Sequence, residues 1–220
     1  MCFSATASFT TAVLTGGVGI ATLSKTTRVR EIPIAVMPLV FAAQQAAEGA
    51  IWLGFAHAWP ASVMMIAANF FVLIALAFWP MWSPLAVGLT EKLPEHRLAI
   101  FALLPIGLVL AAYATRDIFE HPYAASVVNH SICYISRGSY PFTAVPFYAL
   151  CTVAPLFLSS RPLLRKLGGV LALGMIVSFA FFYTNFVSVW CFFAAAASIG
   201  IFVYFHQRQL AQSAGQTARS

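Results

Sequence analysis

Charge is almost absent from seven long stretches of this chain, and that exclusion constrains the fold more than any motif does. Of the 12 lysines and arginines and 6 acidic residues, all but one fall in the gaps between apolar runs. The exception is Glu48. The runs extend over Ser8–Leu23, Ile32–Gly54, Ser62–Leu89, Leu98–Thr115, Pro141–Ser159, Leu167–Tyr183 and Phe186–Phe205. A membrane-crossing helix needs about 20 mostly apolar residues, so almost nothing remains for a soluble domain. With 61% hydrophobic and 8% charged residues and a mean hydropathy of +0.86, the composition lies far from that of soluble domains, where roughly a quarter of residues are charged. The expected fold is all-α, a seven-transmembrane-helix bundle in a bacterial inner (plasma) membrane. The third run carries Trp79-Pro80-Met81-Trp82-Ser83-Pro84, whose two prolines remove backbone donors. A kink is expected there, and splitting that run would give eight spans.

The net charge of +6 does not point to nucleic acid, because the basic residues alternate by connection. Lys25, Arg28, Arg30, Lys92, Arg97, Arg161, Arg165, Lys166, Arg208 and Arg219 share one side of such a bundle, and only Arg116 and Arg137 fall on the other. The positive-inside bias then puts the N-terminus outside and the C-terminus in the cytoplasm. The first run has no basic region before it and no cleavage signature, and so reads as an anchor rather than a removable leader. Residues 1–206 form a single transmembrane domain in this reading, and 207–220, polar and small, form a disordered cytoplasmic tail.

One connection is long. Residues 116–140 contain His121, His130, Cys133 and several aromatic residues, too apolar for a solvated linker, and are expected to fold as a lid over the outer mouth. Ser126–Ile135 alternates enough for a short hairpin. Glycines in the first and sixth runs and Ala194–Ala197 in the seventh would allow close helix packing.

Chemistry concentrates in the second run. Gln44, Gln45 and Glu48 lie three and four residues apart on one helical face, and Trp52 extends it by a turn. An ionisable group at membrane depth costs at least ~2.5 kcal/mol on insertion scales, which makes it a functional candidate by default. The bland alternative is a protonated Glu48 that only fixes packing. Asn69, Tyr148, Ser188 and Cys191 fall at a similar depth and join Glu48, Gln44, Gln45 and Trp52 as expected ligand-binding residues. Cys2 and Cys133 are both expected outside, where a disulfide would fasten the N-terminus to the lid. Alternatively Cys2, His130 and Cys133 would suit copper or zinc. An N-terminal Cys2 nucleophile would need a soluble scaffold that this chain lacks. The last run has no lysine for retinal, and no run has a histidine for haem, so neither cofactor is expected.

Three stretches also carry a resemblance. Met1-Cys2-Phe3-Ser4-Ala5-Thr6-Ala7-Ser8-Phe9, Gln44-Gln45-Ala46-Ala47-Glu48-Gly49 and Ser188-Val189-Trp190-Cys191-Phe192-Phe193-Ala194-Ala195 resemble an uncharacterised family of small bacterial integral membrane proteins, end to end. The resemblance implies a membrane location and no activity. The expected function is an outer-half pocket around Glu48 that takes a small cation, metal or polar ligand for transport or sensing. The alternatives are a membrane-embedded enzyme acting on a lipid or quinone-like substrate, and an accessory subunit packed in a larger complex or oligomer. The expected partners are the lipid bilayer and a small ligand or ion.

Overall fold

The computed structural model describes residues 4–138, 141 and 143–217, with side chains described through Leu210. The described residues form seven apolar helices: α1 Ala5–Ser24, α2 Val29–Ala56, α3 Ala61–Thr90, α4 Pro94–Glu120, α5 Ala144–Leu158, α6 Pro162–Phe181 and α7 Tyr183–Leu210. Six are long and apolar enough to cross a membrane, and α5 is shorter. Between α4 and α5 lies one hairpin, β1 Ala124–Val128 paired antiparallel with β2 Ser131–Ile135. The lid segment therefore divides in two. Residues 116–120 continue α4 as helix, where the Arg116–Glu120 pair supports the last turn at i and i+4, and residues 124–135 form the hairpin. At the other terminus the helix of α7 continues to Thr217, past the start of the expected tail at 207.

Helices α1 and α2 run antiparallel in close contact. A Cβ on Gly49 would sit 2.9 Å from the Phe9 ring, and one on Gly19 would meet the Leu39 side chain at 2.6 Å. Threonines on the buried face of α1 dispose of their hydroxyls locally, with Thr15 donating to the Thr11 carbonyl at 2.7 Å and Thr22 to that of Val18 at 2.7 Å. Such back-bonding lets polar residues sit in an apolar interface. Helix α7 closes the bundle by packing on α1, α2 and α6.

The two prolines of α3 act as expected, through carbonyls they leave without donors. Just before Pro80 the helix widens to a π-turn over Leu73–Phe78, where the Trp79 N–H reaches the Ile74 carbonyl five residues back. In that register the Ala75 carbonyl would need Pro80 as its donor, and proline has none. The Tyr148 hydroxyl of α5 donates to it instead, at 2.9 Å. Pro84 similarly frees the Pro80 carbonyl. Helix α4 packs against that carbonyl so closely that a Cβ on Gly107 would overlap it. The run stays one helix rather than splitting in two.

The end opposite the hairpin carries two further buried carboxylates, Glu31 and Glu91. Glu91, 5% exposed, accepts from the Ser159 hydroxyl at 3.0 Å and the Ser160 N–H at 2.9 Å through Oε2. Its Oε1 accepts from the Ser160 hydroxyl at 2.5 Å and the N–H groups of Lys92 and Leu93 at 2.7 and 3.3 Å. Burial raises its pKa, but the hydrogen bonds from Ser160, Lys92 and Leu93 outweigh it and bring the carboxyl down to about 2. Arg208 pairs with Glu31. Arg161 donates to the Thr90 carbonyl at 2.6 Å and lies 5.1 Å over the Tyr204 ring.

Candidate functional site

Glu48 lies eight residues before the end of α2 at Ala56, about 12 Å below it at ~1.5 Å per residue. Gln44, Gln45 and Glu48 are all completely buried. No internal proline interrupts this part of α2, so the i, i+3, i+4 face forms as the spacing requires. The carboxylate meets α7 and the hairpin. Ser188 donates to Glu48 Oε1 at 2.5 Å, and the Tyr134 hydroxyl lies 3.5 Å from the same oxygen.

The two glutamines differ in how they are used. Gln44 is occupied by the protein: its Oε1 accepts from Trp79 Nε1 at 3.1 Å, and its Nε2 faces Cys191 Sγ at 3.2 Å and the Phe71 carbonyl at 3.5 Å. Phe41 stacks on Trp79 at 4.0 Å and holds that indole in place. Gln45 is not occupied. Neither its amide nitrogen nor its amide oxygen has a hydrogen-bond partner among the described residues, and the same holds for Trp52 Nε1 and Ser8 Oγ. Gln45 and Trp52 flank Glu48 along one face of α2, and Phe9 on Gly49 sets Ser8 at that depth on α1. Leaving a buried polar group unbonded costs about 1–3 kcal/mol. Among the described residues, Gln45 and Trp52 thus leave polar atoms unbonded on the face of α2 that carries the buried carboxylate, and Ser8 does so on the adjoining α1.

The hairpin covers Glu48 through Tyr134. Asn129 and His130 both have positive φ, 50° and 58°, as a two-residue turn matched to strand twist requires. Pairing of Val128 with Ser131 and Val127 with Ile132 then places alternate residues of β2 on opposite faces. Ile132 packs with Ile51 and Ala68, while Tyr134 stacks on Phe71 at 4.6 Å and brings its hydroxyl to Glu48. On the other face Cys133 Sγ donates to the Thr184 carbonyl at 3.3 Å. Asn185 Nδ2 holds the Val128 carbonyl at 2.8 Å.

The expected residues thus separate into groups. Glu48, Gln44, Gln45, Trp52, Ser188 and Cys191 come together. Asn69 and Tyr148 do not belong with them: Asn69 clamps the backbone of Tyr123 at the entrance to the hairpin, with bonds of 3.0 and 2.9 Å, and Tyr148 is committed to the Ala75 carbonyl. His130 is exposed at the hairpin tip, whereas Cys133 is buried beneath it as a free thiol whose pKa is pushed up by desolvation. Among the described residues no group of three or more His, Cys, Asp or Glu side chains could hold a metal. Cys2, the remaining member of the expected disulfide and of the copper or zinc set, lies outside the described residues. Tyr134, Trp79 and Ser8 were not among the expected site residues. The aromatic content of the lid was the one available signal for Tyr134, and nothing local marks the other two.

The chain belongs to a family of unknown function, DUF6629, whose model matches residues 1–216. Nothing among curated proteins and nothing among solved structures matches it.

Proposed function

We propose that this is a multi-pass membrane protein whose hairpin-capped chamber around Glu48 binds a small monovalent cation or protonated amine, for transport or sensing. The observation that carries this reading is Gln45, completely buried with both amide atoms unbonded among the described residues, one turn from a buried carboxylate. A buried charge is retained only when compensated. A cation held by Glu48 would provide that compensation and occupy the Gln45 amide oxygen and the Ser8 hydroxyl. The donor set is oxygen-rich with a single carboxylate, which suits neither copper nor zinc, since those ions favour imidazole and thiolate. The hairpin is held to the helices by Ile132 packing on Ile51 and Ala68, by Tyr134 on Phe71 and Glu48, by Cys133 on the Thr184 carbonyl and by Asn185 on the Val128 carbonyl, and a ligand entering beside it would approach Glu48 from the side on which the basic residues are fewest.

Thermal unfolding of the detergent-solubilised protein in sodium, potassium, ammonium and choline chlorides tests the reading. A specific cation should raise Tm saturably in wild type, since a ligand at a hundred times its Kd adds about 2.7 kcal/mol. Glu48→Gln and Gln45→Leu should abolish the increment. Equal responses to all four salts, unchanged by Glu48→Gln, would sink it.

A further inference from the structure

At the hairpin end of the bundle, two clefts of about 410 and 560 Å³ fall within the range of ligand pockets. Both are lined by Glu120, His121 and Arg137, so they adjoin along those three residues. The first adds Arg116 and Asp117, and the second adds Met65, Pro122, Ala124 and Ile135. One cleft is therefore charged, and its neighbour brings an apolar wall.

The charged cleft is built on Asp117. This carboxylate, 8% exposed, accepts from the Tyr123 hydroxyl at 3.0 Å through Oδ2, and its Oδ1 lies 3.4 Å from His121 Nδ1. Gly138 packs on it so closely that a Cβ there would overlap Oδ1. Two residues earlier, the Ser136 hydroxyl donates to the His121 carbonyl at 2.6 Å and accepts from the Gly138 N–H at 3.0 Å. Arg137 sits between these two anchors, so its backbone is fixed beside Asp117 while its exposed side chain lines both clefts.

The charges here are unequally committed. Arg116 pairs with Glu120 at 2.8 Å. Arg137 joins no ion pair among the described residues, either with Asp117 or with any other carboxylate. A carboxylate and a guanidinium thus border one cleft without neutralising each other. An anion alone would meet Asp117 as a like charge, and a cation alone would meet Arg137, whereas a ligand carrying both charges complements both.

We propose that these clefts bind a free aliphatic α-amino acid such as leucine. Its carboxylate lies on the Arg137 guanidinium, whose planar donors can bind both oxygens at once. Its ammonium faces Asp117, and its side chain covers Met65, Pro122 and Ile135. The proposal is independent of the reading of Glu48.

Isothermal titration calorimetry of the detergent-solubilised protein with leucine, glycine, 4-methylpentanoate and 3-methylbutylamine tests it. The last two keep the leucine skeleton but lack its ammonium and its carboxylate, respectively. Leucine should bind saturably, about tenfold or more tighter than either of them, and tighter than glycine. Arg137→Gln, a change at an exposed side chain, should weaken leucine about tenfold, the scale of one charge-assisted hydrogen bond, and leave 3-methylbutylamine unchanged. Asp117→Asn should weaken leucine and leave 4-methylpentanoate no weaker, with thermal unfolding showing that each variant is folded. Absence of saturable leucine binding, equal binding of leucine and any of the other three compounds, or leucine binding untouched by Arg137→Gln would overturn the proposal.

Discussion

Two buried glutamates show how the surroundings of one residue type determine what it does. Glu91 is met by five protein donors and is held ionised, with a carboxyl pKa of about 2 against an ordinary 4.5. Because folding lowers this pKa, its stabilisation is complete above about pH 5 and fades as pH falls toward 2. The full effect is about 3 kcal/mol at 1.36 kcal/mol per unit. Tm measured against pH should show that acid limb in wild type, and Glu91→Gln should flatten it while lowering Tm at neutral pH. Glu48 instead faces α7 through Ser188 and the hairpin through Tyr134. Glu48→Ala should cost about 2–4 kcal/mol in thermal unfolding, because it empties a closed site and strands the hydroxyl of Ser188. Glu48→Gln keeps the shape and an acceptor and should cost less than half as much.

Among the elements, α3 and the hairpin organise the site by opposite means. Pro80 forces a π-turn whose orphaned Ala75 carbonyl recruits Tyr148, so α3 and α5 are linked by a bond that exists because a proline is present. Tyr148→Phe should therefore destabilise by about 1–3 kcal/mol. In a Pro80→Ala background, where a regular helix can satisfy its own carbonyl, most of that cost should vanish, a coupling that a double-mutant cycle in thermal unfolding would read directly. The hairpin contributes no such backbone dependence. It is held over Glu48 by Ile132 and Tyr134 on one face and by Cys133 on the other, and Tyr134→Ala should raise amide exchange across β1 and β2 while leaving the interior of α6 protected.

For the whole molecule, the proposed membrane assignment turns on how many of the helices are long enough to cross a bilayer. Helix α5, at 15 residues, rises about 22 Å against a hydrocarbon core of about 30 Å. It nevertheless packs on α3, α4 and α6, and Cys151 on it is fully buried. An accessory subunit would need only an apolar exterior, which residues such as Val109 on α4 and Leu173 and Ile176 on α6 supply. If α5 spans, seven crossings place the termini on opposite sides. Reporter fusions at each end should then give opposite compartments, with the C-terminal fusion cytoplasmic; matching compartments would mean six crossings.

The apolar runs, their approximate limits, the backbone donors lost at the prolines, the hairpin and the Gln44-Gln45-Glu48 face were all legible in the sequence. Each depends on periodicity or backbone chemistry within a few residues, which a linear chain displays directly. Tertiary structure alone decided that Ser188 and Tyr134, 140 and 86 residues from Glu48, would be its partners. It also turned Asn69 and Tyr148 to backbone carbonyls and left Gln45 unbonded while its neighbour Gln44 was satisfied. Depth along a helix can be counted from sequence, but the direction in which a side chain meets another helix depends on how the helices rotate and cross, and that is determined by packing throughout the bundle.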